Sequence, residues 1–98
     1  METQKLLDNV SGTASSTEYF IENDLTDNEV QAFITFSSGT VTLEASGDNV
    51  NFAPIKDGVL TSSELVPLDL AEGSYFRVSY ASATGLTVIV KPKKSKND

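Results

Sequence analysis

Apolar and polar residues alternate most clearly between positions 38 and 55 of the chain. Val41, Leu43 and Ala45 alternate with polar neighbours, which is the two-residue period of a half-buried β-strand. Residues 47–49, Gly-Asp-Asn, tolerate left-handed backbone angles and predict a tight turn. The alternation resumes after this turn, so the segment predicts a β-hairpin.

Short apolar runs separated by turn residues continue along the chain and predict further strands. The predicted strands cover residues 19–21, 30–36, 40–46, 50–55, 59–61, 74–81 and 86–90. Pro67 interrupts the segment 65–70, which predicts an edge strand or an irregular segment there. Turns are predicted at residues 22–29, 37–39, 56–58, 71–73 and 83–85, and those at 37–39 and 83–85 are expected to close hairpins. Turn signals recur about every 8 to 12 residues, which is typical of an antiparallel sandwich or small barrel, and we expect a single β-sandwich of Ig-like or jelly-roll-like type.

The stretch 74–81 is the most strand-like part of the chain, because its aromatic and β-branched residues favour extended backbone. The alternation places Phe76, Val78 and Tyr80 on one face and Tyr75, Arg77 and Ser79 on the other. Arg77 is the only arginine, and we expect it to pair with one of the many carboxylates. It is also a candidate anchor for a partner, since arginine is frequent at interface hot spots.

The two ends of the chain lack a regular alternation. The first 16 residues hold one apolar group, formed by Leu6, Leu7 and Val10, and then a Gly/Ser/Thr run. This pattern favours a flexible N-terminal arm that orders on a partner, with a regular first strand as the alternative. The predicted organisation is an N-terminal arm (1–16), one β domain (17–92) and a Lys-rich tail (93–98).

The composition removes most catalytic chemistry. The 98 residues include no cysteine, histidine or tryptophan. Disulfides, thiolate metal sites and most nucleophile–base pairs are therefore excluded, and we expect neither a cofactor nor an enzymatic activity. No basic segment followed by an apolar run begins the chain, and no stretch reaches about 18 apolar residues, so we expect a protein made in a cytoplasm without a membrane partner.

The charge is strongly acidic, with a formal net value of −7. The first 90 residues hold three basic side chains against thirteen acidic ones. Such a body repels nucleic acid, and we expect no nucleic-acid partner. The remaining basic residues are Lys91, Lys93, Lys94 and Lys96, which we interpret as a solvated or partner-docking tail.

Carboxylates in turns and strands are weak candidates for chemistry. Oxygen donors in predicted turns, which are Asp27, Asp48, Asn49 and Asp57, suggest calcium. Their spacing fits no calcium loop, and such residues usually cap their own backbone. A glycosidase-type pair is conceivable among Glu18, Glu22, Glu44, Glu64, Asp69 and Glu72. Single carboxylates on alternating strand positions are more typical of a solvated sheet face.

Tyrosines provide a second candidate site, a platform for carbohydrate. The candidates are Tyr19, Tyr75 and Tyr80, and Phe52 is expected in the core. Tyrosines in strands more often bury the ring and keep only the hydroxyl at the rim. A carbohydrate-binding module therefore stays an alternative function.

Two segments resemble hairpins of small tailed-bacteriophage virion proteins. These are SGTVTLEASGDNVNFAPIKDG (38–58) and GSYFRVSYASATGLTVIVKP (73–92), so the resemblance spans residues 38–92 and consists of strand and turn residues. It implies a virion structural protein that decorates or stabilises the capsid exterior by binding the major capsid protein, with a neck, tail or fibre-attachment role as the alternative. It also implies a homo-oligomer such as a trimer. We expect partner contacts at Leu6, Leu7, Val10, Tyr75 and Arg77.

Overall fold

The computed structural model describes residues 3–21, 30–68, 70–71 and 73–92. About three quarters of these residues lie in strands and none of them in a helix. The strands are β1 (Gln4–Ser15), β2 (Tyr19–Phe20), β3 (Val30–Thr35), β4 (Ser38–Ser46), β5 (Ala53–Leu60), β6 (Glu64–Leu68) and β7 (Tyr75–Pro92). All pairings among them are antiparallel, and the sheet is nearly closed into a barrel, so the all-β prediction is confirmed. The turn predicted at 22–29 and the tail predicted at 93–98 lie outside the described residues.

Strand β7 organises the sheet, because β1, β2, β3 and β4 all pair with it. Tyr80 has Val41 of β4 on one side and Ala14 of β1 on the other. Val90 has Ala32 of β3 and again β1 as its neighbours. Because β1 and, at residues 75–76, β2 occupy one edge of β7, β3 and β4 follow one another along the other edge. β6 extends the sheet beyond β3, and β5 extends it beyond β4.

The hairpin predicted at residues 37–39 is wrong. Thr35 lies opposite Thr87 and Ser38 lies opposite Thr84, so the chain continues in one direction from β3 into β4. Gly39 occurs at a φ of 100°, and a Cβ there would lie 2.5 Å from the carbonyl oxygen of Ser82. A glycine is needed here because the strand bends and the two backbones approach closely. Its left-handed backbone angle, which was predicted to serve a reversing turn, instead serves a bend in a continuing chain.

The hairpin predicted at residues 83–85 is also wrong, because β7 runs through this segment without reversing. Left-handed backbone angles occur here at Ser82 and Gly85 of β7 and, across the pairing, at Asn9 and Gly12 of β1. Several register shifts in the β1–β7 pairing lie in the same region. Bulges of this kind bend a strand and increase its twist, so the paired strands turn a corner together.

Hydroxyl groups supply hydrogen bonds at this corner. Backbone N–H groups that leave the regular ladder donate instead to side-chain oxygens, at distances of 2.9–3.1 Å. The pairs are Asn9 N with Thr87 Oγ1, Ser82 N with Thr13 Oγ1, and Gly85 N with Ser11 Oγ. The Ser/Thr-rich composition of the region therefore satisfies the bulged backbone.

The corner divides the barrel into two halves that share one core. The first half contains β2, β4, β5 and residues 75–81 of β7, and the second half contains β3, β6 and residues 86–92 of β7. Buried side chains of both halves pack into a single cluster, formed by Leu6, Tyr19, Ile21, Val30, Ala32, Ile34, Val41, Leu43, Leu60, Leu68, Phe76, Val78, Ala83, Leu86, Val88 and Val90. The predicted faces of residues 74–81 are confirmed, since Phe76 and Val78 are buried and Arg77 is outside. Removal of this apolar surface from water is the main stabilising contribution.

The N-terminal arm predicted for residues 1–16 is wrong for residues 4–15, which form β1. Leu6 belongs to the core, and Leu7 and Val10 pack against it. The register shifts between β1 and β7 break the two-residue period of the apolar positions. Because the apolar residues of β1 do not alternate regularly, the sequence pattern predicted a flexible connector although the segment forms a strand.

The turn at residues 47–49 is confirmed. Asn49 has a φ of 62°, and the Asp48 carboxylate accepts hydrogen bonds from the backbone N–H groups of Asn51 and Val50, both at 2.9 Å. These bonds, together with those from the Asn51 and Ser46 side chains, hold the pKa of Asp48 well below its usual range. Asp48 therefore caps its own turn.

The return strand after this turn differs from the prediction. β5 begins at Ala53 rather than at position 50 and passes through residues 56–58, so the turn predicted there is wrong. Asp57 has a φ of 58°, and the register shifts in this part of the β4–β5 pairing. The left-handed residue makes a bulge inside a strand, as at the corner of β7.

Candidate functional site

The outer surface of the first half, which we call the polar face, carries a cluster of polar side chains that are hydrogen-bonded to one another. Glu44 of β4 lies directly opposite Arg77 of β7. Arg77 Nε donates to Glu44 Oε1 at 2.7 Å, and Ser79 Oγ donates to the same oxygen at 2.8 Å. The hydroxyls of Ser15 and Ser79 lie 3.1 Å apart, so the cluster connects β1, β7 and β4. The expected pairing of Arg77 with a carboxylate is confirmed.

Glu44 remains ionised in this setting. Its side chain is 16% exposed, and burial by itself raises the pKa of a carboxyl group. The hydrogen bonds from Arg77 and Ser79, together with the Arg77 charge, outweigh burial and leave the pKa of Glu44 below its ordinary value of 4.5. The carboxylate is therefore a fixed negative charge near neutral pH.

Aromatic rings lie on the same half of the barrel as this cluster. The Arg77 guanidinium lies 4.0 Å from the ring centroid of Phe52, a cation–π contact. Phe52 is thus at the outer surface and outside the core cluster, contrary to the prediction. Phe20 and Tyr75 face each other across β2 and β7, with ring centroids 5.1 Å apart and planes tilted by 49°. Phe20 is 47% exposed, so this pair is an uncovered aromatic surface.

The outer surface of the second half is apolar along its middle, and we call it the apolar face. Leu65, Phe33 and Ile89 lie directly opposite one another on β6, β3 and β7 and form one cross-strand row. Leu65 is 53% exposed and Phe33 is 38% exposed. An open depression of about 280 Å³ lies here, lined by Phe33, Ile34, Thr35, Ser63, Glu64 and Leu65.

Lysines flank the apolar row although the protein as a whole is acidic. Lys5 of β1 lies opposite Ile89, and Lys91 lies two positions further along the same face of β7. Both lysines are exposed. Lys5 Nζ lies 3.7 Å from Asp8 Oδ1 in an exposed ion pair that holds it only weakly. This face therefore combines an apolar centre with charged residues at its margin, which are Lys91, the Lys5–Asp8 pair and Glu64.

β6 forms the outer edge of this face, since within the described chain it pairs only with β3. Of the two alternatives predicted for the segment 65–70, the edge strand is confirmed, and it runs through Pro67 as far as Leu68. Proline has no N–H and is tolerated in a strand where that group would point to solvent. Pro67 thus removes a donor from the open edge, which disfavours addition of a further strand. A partner is then expected to contact the side chains of this face.

The predicted partner residues are distributed over the molecule rather than brought together. Leu6 is buried in the core, and Leu7 and Val10 pack against the core, so the three do not form an exposed anchor. Tyr75 and Arg77 lie on the polar face.

The structure also locates most of the residues that were candidates for carbohydrate binding, metal binding or acid–base chemistry. Tyr19 is buried and Tyr80 packs against the core, which leaves Tyr75 as the outward member of the predicted tyrosine platform. The described residues contain no group of three or more His, Cys, Asp or Glu that could hold a metal ion. Four predicted carboxylates lie outside the described residues, namely Glu22, Asp27, Asp69 and Glu72. Within the described chain, no helix is long and apolar enough to cross a membrane.

Sequence reasoning missed the apolar row. Val30, Ala32 and Ile34 alternate into the core, and Phe33 is the apolar residue in the opposite phase. An apolar residue between the positions that face the core predicts an exposed hydrophobic side chain, so Phe33 could have been identified from the sequence. Its coincidence with Leu65 and Ile89 depends on the strand register, which the sequence did not reveal.

Comparisons with known proteins identify no relative. No family model, no curated protein and no solved structure matches this chain.

Proposed function

We propose that this protein is a non-enzymatic structural protein of a tailed-bacteriophage virion, which decorates the capsid exterior by binding the major capsid protein through its apolar face. The observation that carries the proposal is the cross-strand row of Leu65, Phe33 and Ile89, in which Leu65 and Phe33 are exposed and Ile89 is half-buried. The resemblance of residues 38–92 to phage virion hairpins supplies the class of partner. The same resemblance supports an Ig-like or jelly-roll-like relationship and an oligomer such as a trimer.

An exposed apolar row of this kind has the chemistry of an interface centre. Single exposed apolar residues are normal on protein surfaces, whereas contiguous ones rimmed by polar groups mark contact sites. Full burial of a Leu or Phe side chain contributes about 1.5–3 kcal/mol. Leu65 is 53% exposed and Phe33 is 38% exposed, so a partner gains the part of this contribution that corresponds to the surface still open to solvent.

The charge distribution supports the same orientation. A body with a net charge of −7 stays soluble at high copy number when it faces outward. Lys5 and Lys91 complement a partner surface with an apolar centre and an acidic margin, and they speed the encounter.

Particle composition tests the location. Virions encoded by the same genome as this chain are purified, and the copy number of the protein is measured by quantitative mass spectrometry. We expect hundreds of copies for capsid decoration. A count near six or twelve would instead support the neck or tail alternative, and absence from particles would refute a virion role.

Substitutions test the face. Phe33→Thr and Leu65→Thr place a polar, strand-favouring residue at each position. We expect the double variant to bind particles that lack the protein at least about tenfold more weakly. Val59→Thr is the matched control, because Val59 is 59% exposed on a strand of the other half. Equal occupancy of the double variant and the control would contradict the assignment of the apolar face.

A further inference from the structure

We propose that the polar face binds a neutral oligosaccharide, with a sugar ring stacked on Phe20 and Tyr75 and sugar hydroxyls hydrogen-bonded to Arg77 and Glu44. This function is additional to capsid binding and uses the opposite half of the barrel. It rests on two independent features of one face: the uncovered aromatic pair and a charged cluster with unused hydrogen-bonding atoms.

The aromatic pair offers a stacking surface beside polar groups. Phe20 is 47% exposed even though it packs on Tyr75, so one of its surfaces remains open to solvent. Tyr75 and Arg77 are alternate residues of β7 on the same outer face, about 7 Å apart along the strand. A ring that stacks on the pair therefore has its substituents close to the Arg77 and Glu44 side chains.

The charged cluster has spare hydrogen-bonding capacity. The hydrogen bonds that join Arg77 to described residues use only its Nε atom, and those on Glu44 use only Oε1. Within the described part of the chain, no hydrogen bond uses the terminal guanidinium nitrogens or Glu44 Oε2, and both side chains keep some exposed surface. Phe52 and Ser79 hold both side chains in place, so little rotamer freedom is lost on binding.

Electrostatics favour a neutral ligand. The Arg77 charge is paired with Glu44 at 2.7 Å, and the protein as a whole carries −7. An acidic polysaccharide would meet net repulsion, whereas uncharged hydroxyl groups satisfy a donor and an acceptor side by side. A proline-rich peptide also stacks on aromatic rings, and its carbonyl groups can accept from Arg77, but its prolines have no N–H to donate to Glu44.

Nuclear magnetic resonance titration of the full chain tests the proposal. The probes are maltohexaose, cellohexaose and chitohexaose at millimolar concentration, with a galacturonic acid oligomer and a proline-rich peptide as comparison ligands. We expect saturable shifts of the Phe20, Tyr75 and Arg77 signals with at least one neutral oligosaccharide. No such shifts with any neutral probe, or stronger binding of the acidic oligomer or the peptide, would overturn it.

Variants locate the site. Phe20→Ala removes an exposed ring, and we expect it to weaken oligosaccharide binding about tenfold. Phe33→Ala removes a similarly exposed ring on the apolar face and serves as the control, with no expected change. Equal loss in both variants would overturn the site. Because Phe20 is remote from the apolar row, Phe20→Ala is expected to leave particle occupancy unchanged, so the two proposals fail separately.

Discussion

The two outer faces of this small barrel use their side chains in opposite ways. On the polar face, Glu44, Arg77 and Ser79 bond to one another and connect neighbouring strands. On the apolar face, Phe33 and Leu65 expose much of their surface and have no such role in holding strands together. Side chains of the first kind stabilise the fold through their hydrogen bonds. Those of the second kind still expose apolar surface that a partner can bury. The difference shows where substitutions should affect folding and where they should affect binding.

The largest expected effect lies at the bend that separates the two faces. Gly39→Ala places a Cβ 2.5 Å from the Ser82 carbonyl oxygen and 2.6 Å from Ala83 Cα, at a φ of 100°. Because backbone must move to relieve this clash, we expect a loss of about 3 kcal/mol or more in the free energy of unfolding. Urea denaturation measures it.

Gly47→Ala is the matched control for this bend. No atom lies within 4 Å of the added Cβ, and its φ is not in the left-handed range. We expect a change within about 0.5 kcal/mol. If both glycine variants were equally stable, the bend would not depend on the close backbone approach, and the separation of the two faces would need another explanation.

The next effect lies in the polar face. Glu44→Ala leaves Arg77 and Ser79 without their shared acceptor, so we expect a loss of about 1–3 kcal/mol in urea denaturation at neutral pH. Glu44→Gln is the milder variant, because it keeps an acceptor oxygen without the charge. Unchanged stability in the alanine variant would show that this cluster does not hold β4 to β7.

The same carboxylate predicts a pH dependence. The folded state lowers the pKa of Glu44, so its contribution is present above the ordinary value of 4.5 and is lost as the pH falls through the lower folded value. Thermal unfolding between neutral and acidic pH is expected to show a smaller acid loss in Glu44→Gln than in the wild type. Parallel curves for the two proteins would contradict this assignment.

The smallest effect on stability is expected on the apolar face. Phe33→Thr and Leu65→Thr remove exposed side chains while keeping strand-favouring residues, so we expect changes within about 1 kcal/mol in urea denaturation. These same variants are expected to lose particle binding. A loss comparable to that of Glu44→Ala would show that the row supports the fold and would remove the contrast between the faces.

Part of the structure could be predicted from the sequence, because those features depend on residues that are close together in the chain. Val41 and Leu43, like Phe76 and Val78, alternate with residues of the opposite face, and this alternation correctly identified them as buried. The Asp48 turn also followed from local chemistry, since its hydrogen bonds join residues close in sequence. The pairing of Arg77 with a carboxylate followed from charge, although its partner Glu44 depended on strand register. The row through Phe33 also needed that register.

The sequence by itself determined the all-β class, many of the alternating core positions and several of the places where the backbone leaves the ordinary extended range. The left-handed angles at Asn9, Gly12 and Ser82 were not predicted. The sequence also did not determine what happens at the predicted places. Gly39, Gly85 and Asp57 have left-handed angles, as a reversing turn would require, yet each lies in a strand that continues. A left-handed residue serves a turn or a bulge equally well, and the choice depends on whether a distant strand pairs on both sides of it. Only the tertiary structure, through strand pairing that continues on both sides of these positions, decided in favour of bends. The bends at Gly39 and Gly85 thereby placed the two faces on different halves of the barrel.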